Sequence, residues 1–174
     1  PERDAFTPAE GALAPFRLAE PFERLRDKSD AIVQRTGSRP RVYLAALGPE
    51  PAHRGRVAYV REWLEAGGFE AVTDGKSATA EEAVERMKAS GAPLVCLCGG
   101  DKAYAAQAEA FAKSIKASGV KGLVLAGRPG DHEAEWRASG VDDFIFAGGD
   151  AVKALEGLYS RIGAQAGAPG LTTS

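Results

Sequence analysis

Sulfur and imidazole are scarce in this chain: its 174 residues hold two cysteines, one methionine and two histidines. Two cysteines are too few for a disulfide framework, and with His53 and His132 scattered as they are they make no zinc site. A reducing cytoplasm is the simplest compartment for such a chain. No apolar run approaches the roughly 20 residues that span a bilayer, and nothing at the start combines charge, an apolar stretch and small residues as a secretory leader does. Charge of one sign is missing too. Lys and Arg number 22 against 24 Asp and Glu, a net of −2, which excludes a dedicated nucleic-acid or anionic-membrane surface. An initiator is also absent: the chain opens at Pro1 and its one methionine is Met87. Processing and excision from a longer protein both account for that.

What is present is enough for a core. Hydrophobic residues make up 44% and charged residues 26%, which excludes disorder for most of the chain. Residues 1–15 hold three prolines and no apolar period, and read as a linker or arm. Residues 20–36 carry Phe22, Leu25, Ser29, Ile32 and Val33 on one helical stripe, with Gly37 as a stop. From residue 41 onward short apolar runs alternate with helical patterns. The runs cover residues 41–47, 69–72, 93–98, 122–126 and 142–146. The helical patterns cover residues 56–66, 79–90, 101–118, 131–139 and 150–162, and Thr79 with Glu82 offers a capping box. Residues 164–174 are a Gly, Ala and Pro tail, read as mobile.

Continuous apolar strands separated by amphipathic helices predict a parallel sheet covered on both faces. Right-handed crossovers then favour a flavodoxin-like α/β fold, five strands in the order 2-1-3-4-5, with an extra helix in front. The predicted division is residues 1–38 as arm and helix, 39–163 as the α/β domain, and 164–174 as tail. A ligand would sit at the carboxyl ends of strands 1, 3 and 4, in the loops at residues 48–55, 99–101 and 127–130. The first loop, Gly-Pro-Glu-Pro-Ala-His-Arg-Gly, lacks the hydroxyls a flavin phosphate needs, and its prolines remove two N–H donors. It offers no Gly-x-Gly-x-x-Gly for a dinucleotide. A phospho-receiver would need an acidic pair at Leu47-Gly48, an Asp at Cys98 and a Lys at Phe146-Ala147, and has none of them.

The same loop resembles the Asp-x-His-x-x-Gly of cobalamin-binding domains, aligned as Glu50-Pro51-Ala52-His53-Arg54-Gly55. The acid survives as Glu50 and the glycine as Gly55. The position of the cobalt ligand is Ala52, which cannot ligate, and only a one-residue slip would offer His53. The family's Ser-x-Leu falls on Cys98, Gly99 and Gly100. Its Gly-Gly falls on Ala126-Gly127, followed by Arg128, which would crowd the nucleotide tail. Residues 18–26 (Leu-Ala-Glu-Pro-Phe-Glu-Arg-Leu-Arg) resemble the link between the barrel and the last domain of the methylmalonyl-CoA mutase small (beta) subunit, and residues 44–49 (Leu-Ala-Ala-Leu-Gly-Pro) and 125–130 (Leu-Ala-Gly-Arg-Pro-Gly) resemble its C-terminal cobalamin-binding-like domain. That resemblance implies a heterodimer whose large (alpha) subunit binds adenosylcobalamin and interconverts methylmalonyl-CoA and succinyl-CoA. It implies a structural, non-catalytic role for this domain, with a degenerate site and no cofactor or metal of its own. The alternative is a domain that uses the altered first loop for cobalamin or another small molecule.

Other residues carry two readings each. Asp101 and Asp131 stand at loop–helix junctions, as acid–base groups or, by preference, as helix caps. Glu50 reads as solvated, His53 as an exposed loop residue, and Cys98 as a buried thiol rather than a reactive one. Tyr59 and Trp63 form either a partner surface or the flank of the core, and Phe111 and Trp136 belong to the core.

Overall fold

The computed structural model describes residues 9–73, 75–146 and 151–163, with side chains from residue 22 onward. Five parallel strands form one sheet: β1 (Arg41–Leu47), β2 (Glu70–Val72), β3 (Leu94–Gly99), β4 (Gly122–Ala126) and β5 (Asp143–Ile145), in the order β2-β1-β3-β4-β5. Leu44 stands opposite Cys96, Cys96 opposite Val124, and Leu125 opposite Phe144. Helices α1 (Ala9–Thr36), α2 (Glu50–Ala66), α3 (Ala80–Ser90), α4 (Asp101–Ala117), α5 (Glu133–Ser139) and α6 (Ala151–Arg161) cover it, with a short 3₁₀ turn at Gly130–His132. The predicted fold class and strand order are those observed. The residues 164–174 read as a tail lie outside the described residues.

Alternation along each strand divides the core. Val42, Leu44, Cys96, Cys98, Val124 and Ile145 face α1, α2 and α6; Tyr43, Ala45, Val95, Leu97, Leu125 and Phe144 face α3, α4 and α5. Both faces are apolar because helices bury both, which is why the strands carry no polar–apolar alternation. Thr79 and Glu82 do form the capping box that starts α3.

Two helix starts differ from expectation. α1 begins at Ala9 and not at residue 20: Ala, Leu and Glu over residues 9–14 and 18–20 favour helix, and the helix continues through Pro15 and Pro21 at the loss of an N–H at each. α2 begins at Glu50 and not at Arg56, so the predicted loop over residues 48–55 shrinks to Gly48 and Pro49. Pro51 lies in the first turn, where its fixed φ suits a helix and its missing N–H would have had no partner.

α1 is tied down where α2 ends. Ser29 is buried and donates to the Gly68 carbonyl at 2.6 Å, and Tyr159 from α6 donates to the Gly67 carbonyl at 2.7 Å. Gly68 sits at φ +93, and a Cβ there would lie 2.6 Å from Ser29 Cβ and 2.7 Å from Tyr159 Oη. Gly37 has a similar φ of +89 but open space around it. Gly68→Ala should therefore cost about 3 kcal/mol, combining left-handed strain with overpacking, and lower the Tm by roughly 6–12 °C. Gly37→Ala should cost only about 1 kcal/mol. Thermal denaturation of both variants checks the difference, and equal losses would show that the junction is loosely packed.

Candidate functional site

At the carboxyl edge of the sheet an open cleft of about 710 Å³ is walled on one side by Pro51, Ala52, Gly55, Arg56 and Tyr59 of α2. The opposite wall is the segment from Gly127 to His132 with Trp136 and Phe146. The cleft lies at the edge expected for this topology. Gly55 and Gly130 face open space in it: a Cβ on either would meet nothing within 4 Å.

Arg56 closes the inner end. Its Nη1 donates to the carbonyls of Gly99 at 3.0 Å and Ala126 at 2.9 Å, the last residues of β3 and β4, and its Nη2 pairs with Asp101 Oδ1 at 3.1 Å. The guanidinium carbon lies 5.5 Å from the centroid of the Tyr104 ring. Tyr104 is buried; its hydroxyl accepts from the Gly99 N–H at 2.9 Å and donates to the Ala126 carbonyl at 2.5 Å. Burial holds that phenol well above the ordinary tyrosine pKa. Close packing completes the closure: a Cβ at Gly127 would lie 2.5 Å from Arg56 Nη1, one at Gly99 3.0 Å from the Leu47 carbonyl, and one at Gly100 3.1 Å from Ala52 Cβ. Arg56 had no place among the sequence candidates. Its only local sign was a basic residue on a helix next to the predicted edge.

The other candidates are dispersed. His53 is not an exposed loop residue; it lies buried on α2. Its Nε2 is 3.2 Å from Ser77 Oγ, and the Ser77 hydroxyl donates to the Gly48 carbonyl. Nε2 therefore carries the proton, and Nδ1 is left buried as an acceptor without a partner. His53 is not part of the cleft wall. Glu50 is exposed and bonded to Arg54 at 2.7 Å, and that bond and charge hold its carboxyl below the usual range. Asp101 and Asp131 are not helix caps: Gly100 occupies the cap position of α4 and bears no side chain, and Asp131 lies inside the 3₁₀ turn. Arg128 lines the cleft as expected, but its guanidinium stacks 4.9 Å from the Phe146 centroid and leaves the inner end to Arg56. Tyr59 and Trp63 pack on the core flank, with Trp63 stacked on Phe22 at 5.6 Å. Phe111 and Trp136 are in the core. Among the described residues no group of three or more metal-ligating side chains comes together, and no helix is long and apolar enough to cross a membrane.

No protein-family model matches the chain. It is 43% identical over 153 residues to the methylmalonyl-CoA mutase small subunit of Streptomyces virginiae, covering 88% of this chain and 24% of that protein. The small subunit of Propionibacterium freudenreichii subsp. shermanii is 36% identical over 159 residues, 90% of this chain and 24% of the relative. The chain is a homologue of part of the methylmalonyl-CoA mutase small subunit. It spans about a quarter of the length of these mutase small subunits. Solved structures agree on the fold. A cobalamin-binding protein from Desulfitobacterium hafniense DCB-2 superposes with a TM-score of 0.56 at 21% identity, over 82% of this chain and 68% of that one. A CheY-like protein from Pseudomonas aeruginosa PAO1 superposes with a TM-score of 0.52 at 22% identity, over 77% of this chain and 98% of that one.

In this mutase-subunit homologue both cysteines are fully buried, and burial pushes the Cys96 thiol well up. A thiolate is the reactive form. Labelling of the folded chain with a thiol reagent should run at least about a thousandfold slower than in denaturant, since it requires opening of the core. Rapid labelling of Cys98 under native conditions would restore it as a candidate nucleophile.

Proposed function

We propose that the chain is a non-catalytic structural domain of the small subunit of a heterodimeric, adenosylcobalamin-dependent methylmalonyl-CoA mutase. In this reading residues 39–163 are the domain, residues 1–38 the arm and helix that attach to it, and residues 164–174 a tail. The large subunit holds the cofactor and carries out the isomerisation in the cytoplasm. The carrying observation is the inner end of the cleft, where Arg56 and Tyr104 occupy the space between the ends of β3 and β4.

The residues present do not fit cobalamin. A lower cobalt ligand needs an imidazole facing the cleft, and Ala52 stands at that place while His53 is bonded to Ser77. A nucleotide tail brings a phosphate, which needs N–H donors. Here the Gly99 N–H is taken by Tyr104 and the Gly127 N–H by the Ile145 carbonyl. The degenerate site on this reading comprises Glu50, Ala52, His53, Gly55, Cys98, Gly99, Gly100, Gly127 and Arg128. Homology to mutase small subunits supports the same assignment.

The whole parent protein, expressed alone with adenosylcobalamin, should show no acyl-CoA isomerisation. Expressed with its large subunit it should co-purify in equal amounts, and turnover should survive Glu50→Gln, His53→Gln and Cys98→Ser. A substitution that abolished turnover without loosening the complex would make the domain catalytic. A direct binding test is independent of the partner. Titration of this chain with cobalamin should leave the visible spectrum of the cofactor unchanged. The same should hold for the triple variant Glu50→Asp, Pro51→Gly, Ala52→His, because a new imidazole does not empty the Arg56 position. A saturable spectral change in the native chain, lost in His53→Gln, would favour the small-molecule reading that the open cleft offers.

A further inference from the structure

Among the described residues, the groups that Arg56 bonds to or stacks on are electron-rich. Two are strand-end carbonyls, Gly99 and Ala126, the third is the Asp101 carboxylate, and the fourth is the face of the Tyr104 ring. Two neighbouring N–H groups are consumed within the protein: that of Gly99 by the Tyr104 hydroxyl and that of Gly127 by the Ile145 carbonyl. Two carbonyls, a carboxylate and an aromatic face match a planar cation with several N–H donors. They would repel a phosphate or carboxylate.

Position adds a mechanical consequence. Arg56 projects from α2, in the layer with α1 and α6, whereas Asp101 and Tyr104 belong to α4 on the other face of the sheet. One side chain thus connects both helical layers over the ends of β3 and β4. No Cβ stands in its way at residue 127, which is glycine.

We propose that the carboxyl edge of this domain is a guanidinium seat, filled by the chain's own Arg56, which closes the sheet edge as an internal substitute for a bound ligand. The inference goes beyond the structural role assigned above, since it concerns what the seat selects and holds whether or not the parent protein has a catalytic partner.

Emptying the seat tests it. Arg56→Ala should lower the Tm of the full 174-residue chain by about 8 °C, from the loss of hydrogen bonds and of cation–ring contact. Methylguanidinium at about 10 mM should then restore at least half of that loss in Arg56→Ala and leave the native chain unchanged, because only the variant has a vacant seat. Ammonium and inorganic phosphate at equal ionic strength should restore nothing. An unchanged Tm in Arg56→Ala, a failure of methylguanidinium to restore it, or rescue by phosphate would each overturn the proposal. If Arg56→Ala does not fold, Arg56→Lys provides the decision. Its compact ammonium cannot span both carbonyls and Asp101, so amide exchange at Gly99 and Gly127 should quicken at least tenfold. Exchange at the native rate would refute the seat. The cobalamin titration described above reads a different signal, so failure there and failure here are distinguishable.

Discussion

The guanidinium of Arg56 bridges the two helical layers at the one edge where a parallel sheet leaves strand-end carbonyls in need of partners. Backbone carbonyls removed from water must be paired, and in a sheet of this topology the crevice between diverging connections is where they gather. Here the pairing is internal. Arg56 takes the Gly99 and Ala126 carbonyls, Tyr104 takes the Gly99 N–H, and the Asp101 carboxylate balances the charge. The glycine at residue 127 follows from this arrangement, since a Cβ there would lie 2.5 Å from Arg56 Nη1.

With the inner end closed, the remaining cleft belongs to the segment after β4 and the first turns of α2. Its walls are mixed: Tyr59, Trp136 and Phe146 are aromatic, Arg128 and Asp131 are charged, and His132 stacks on Trp136 at 4.7 Å. His53 lies outside that surface, its ring engaged with Ser77 and, through it, with the Gly48 carbonyl. His53 thereby links α2 to the segment leading into α3.

The opposite edge is held by a different device. The half-buried Asp142 accepts from the Leu123 N–H at 2.9 Å and pairs with Lys116 at 3.0 Å and Arg161 at 3.3 Å. It thereby joins β4, α4 and α6 at the start of β5. The Ser29, Tyr159 and Gly67–Gly68 junction lies on this same amino edge, so Arg56 and these two anchors hold both edges of the sheet through the chain's own side chains. A fold stabilised in this way can lose a binding site without losing its shape.

The sequence alone determined the topology. Strand identity rests on apolar runs such as residues 94–98, and helix identity on stripes such as Tyr104, Ala108, Phe111 and Ile115, all of which are buried. Both are periodic and local, as is the Thr79–Glu82 cap. That Ala52 cannot ligate a metal was legible for the same reason, since one residue type excludes ligation. The prolines misled at residues 15 and 51, because they read as breaks, whereas their effect depends on whether the N–H they lack had a partner. Tertiary structure decided the rest. Arg56 meets Gly99 and Ala126 across 43 and 70 residues of chain, and His53 meets Ser77 across 24. Pairings at such separation have no local periodicity to announce them. They arise only when the folded sheet brings the ends of separate strands to one edge, and there geometry selects which cation fills the crevice.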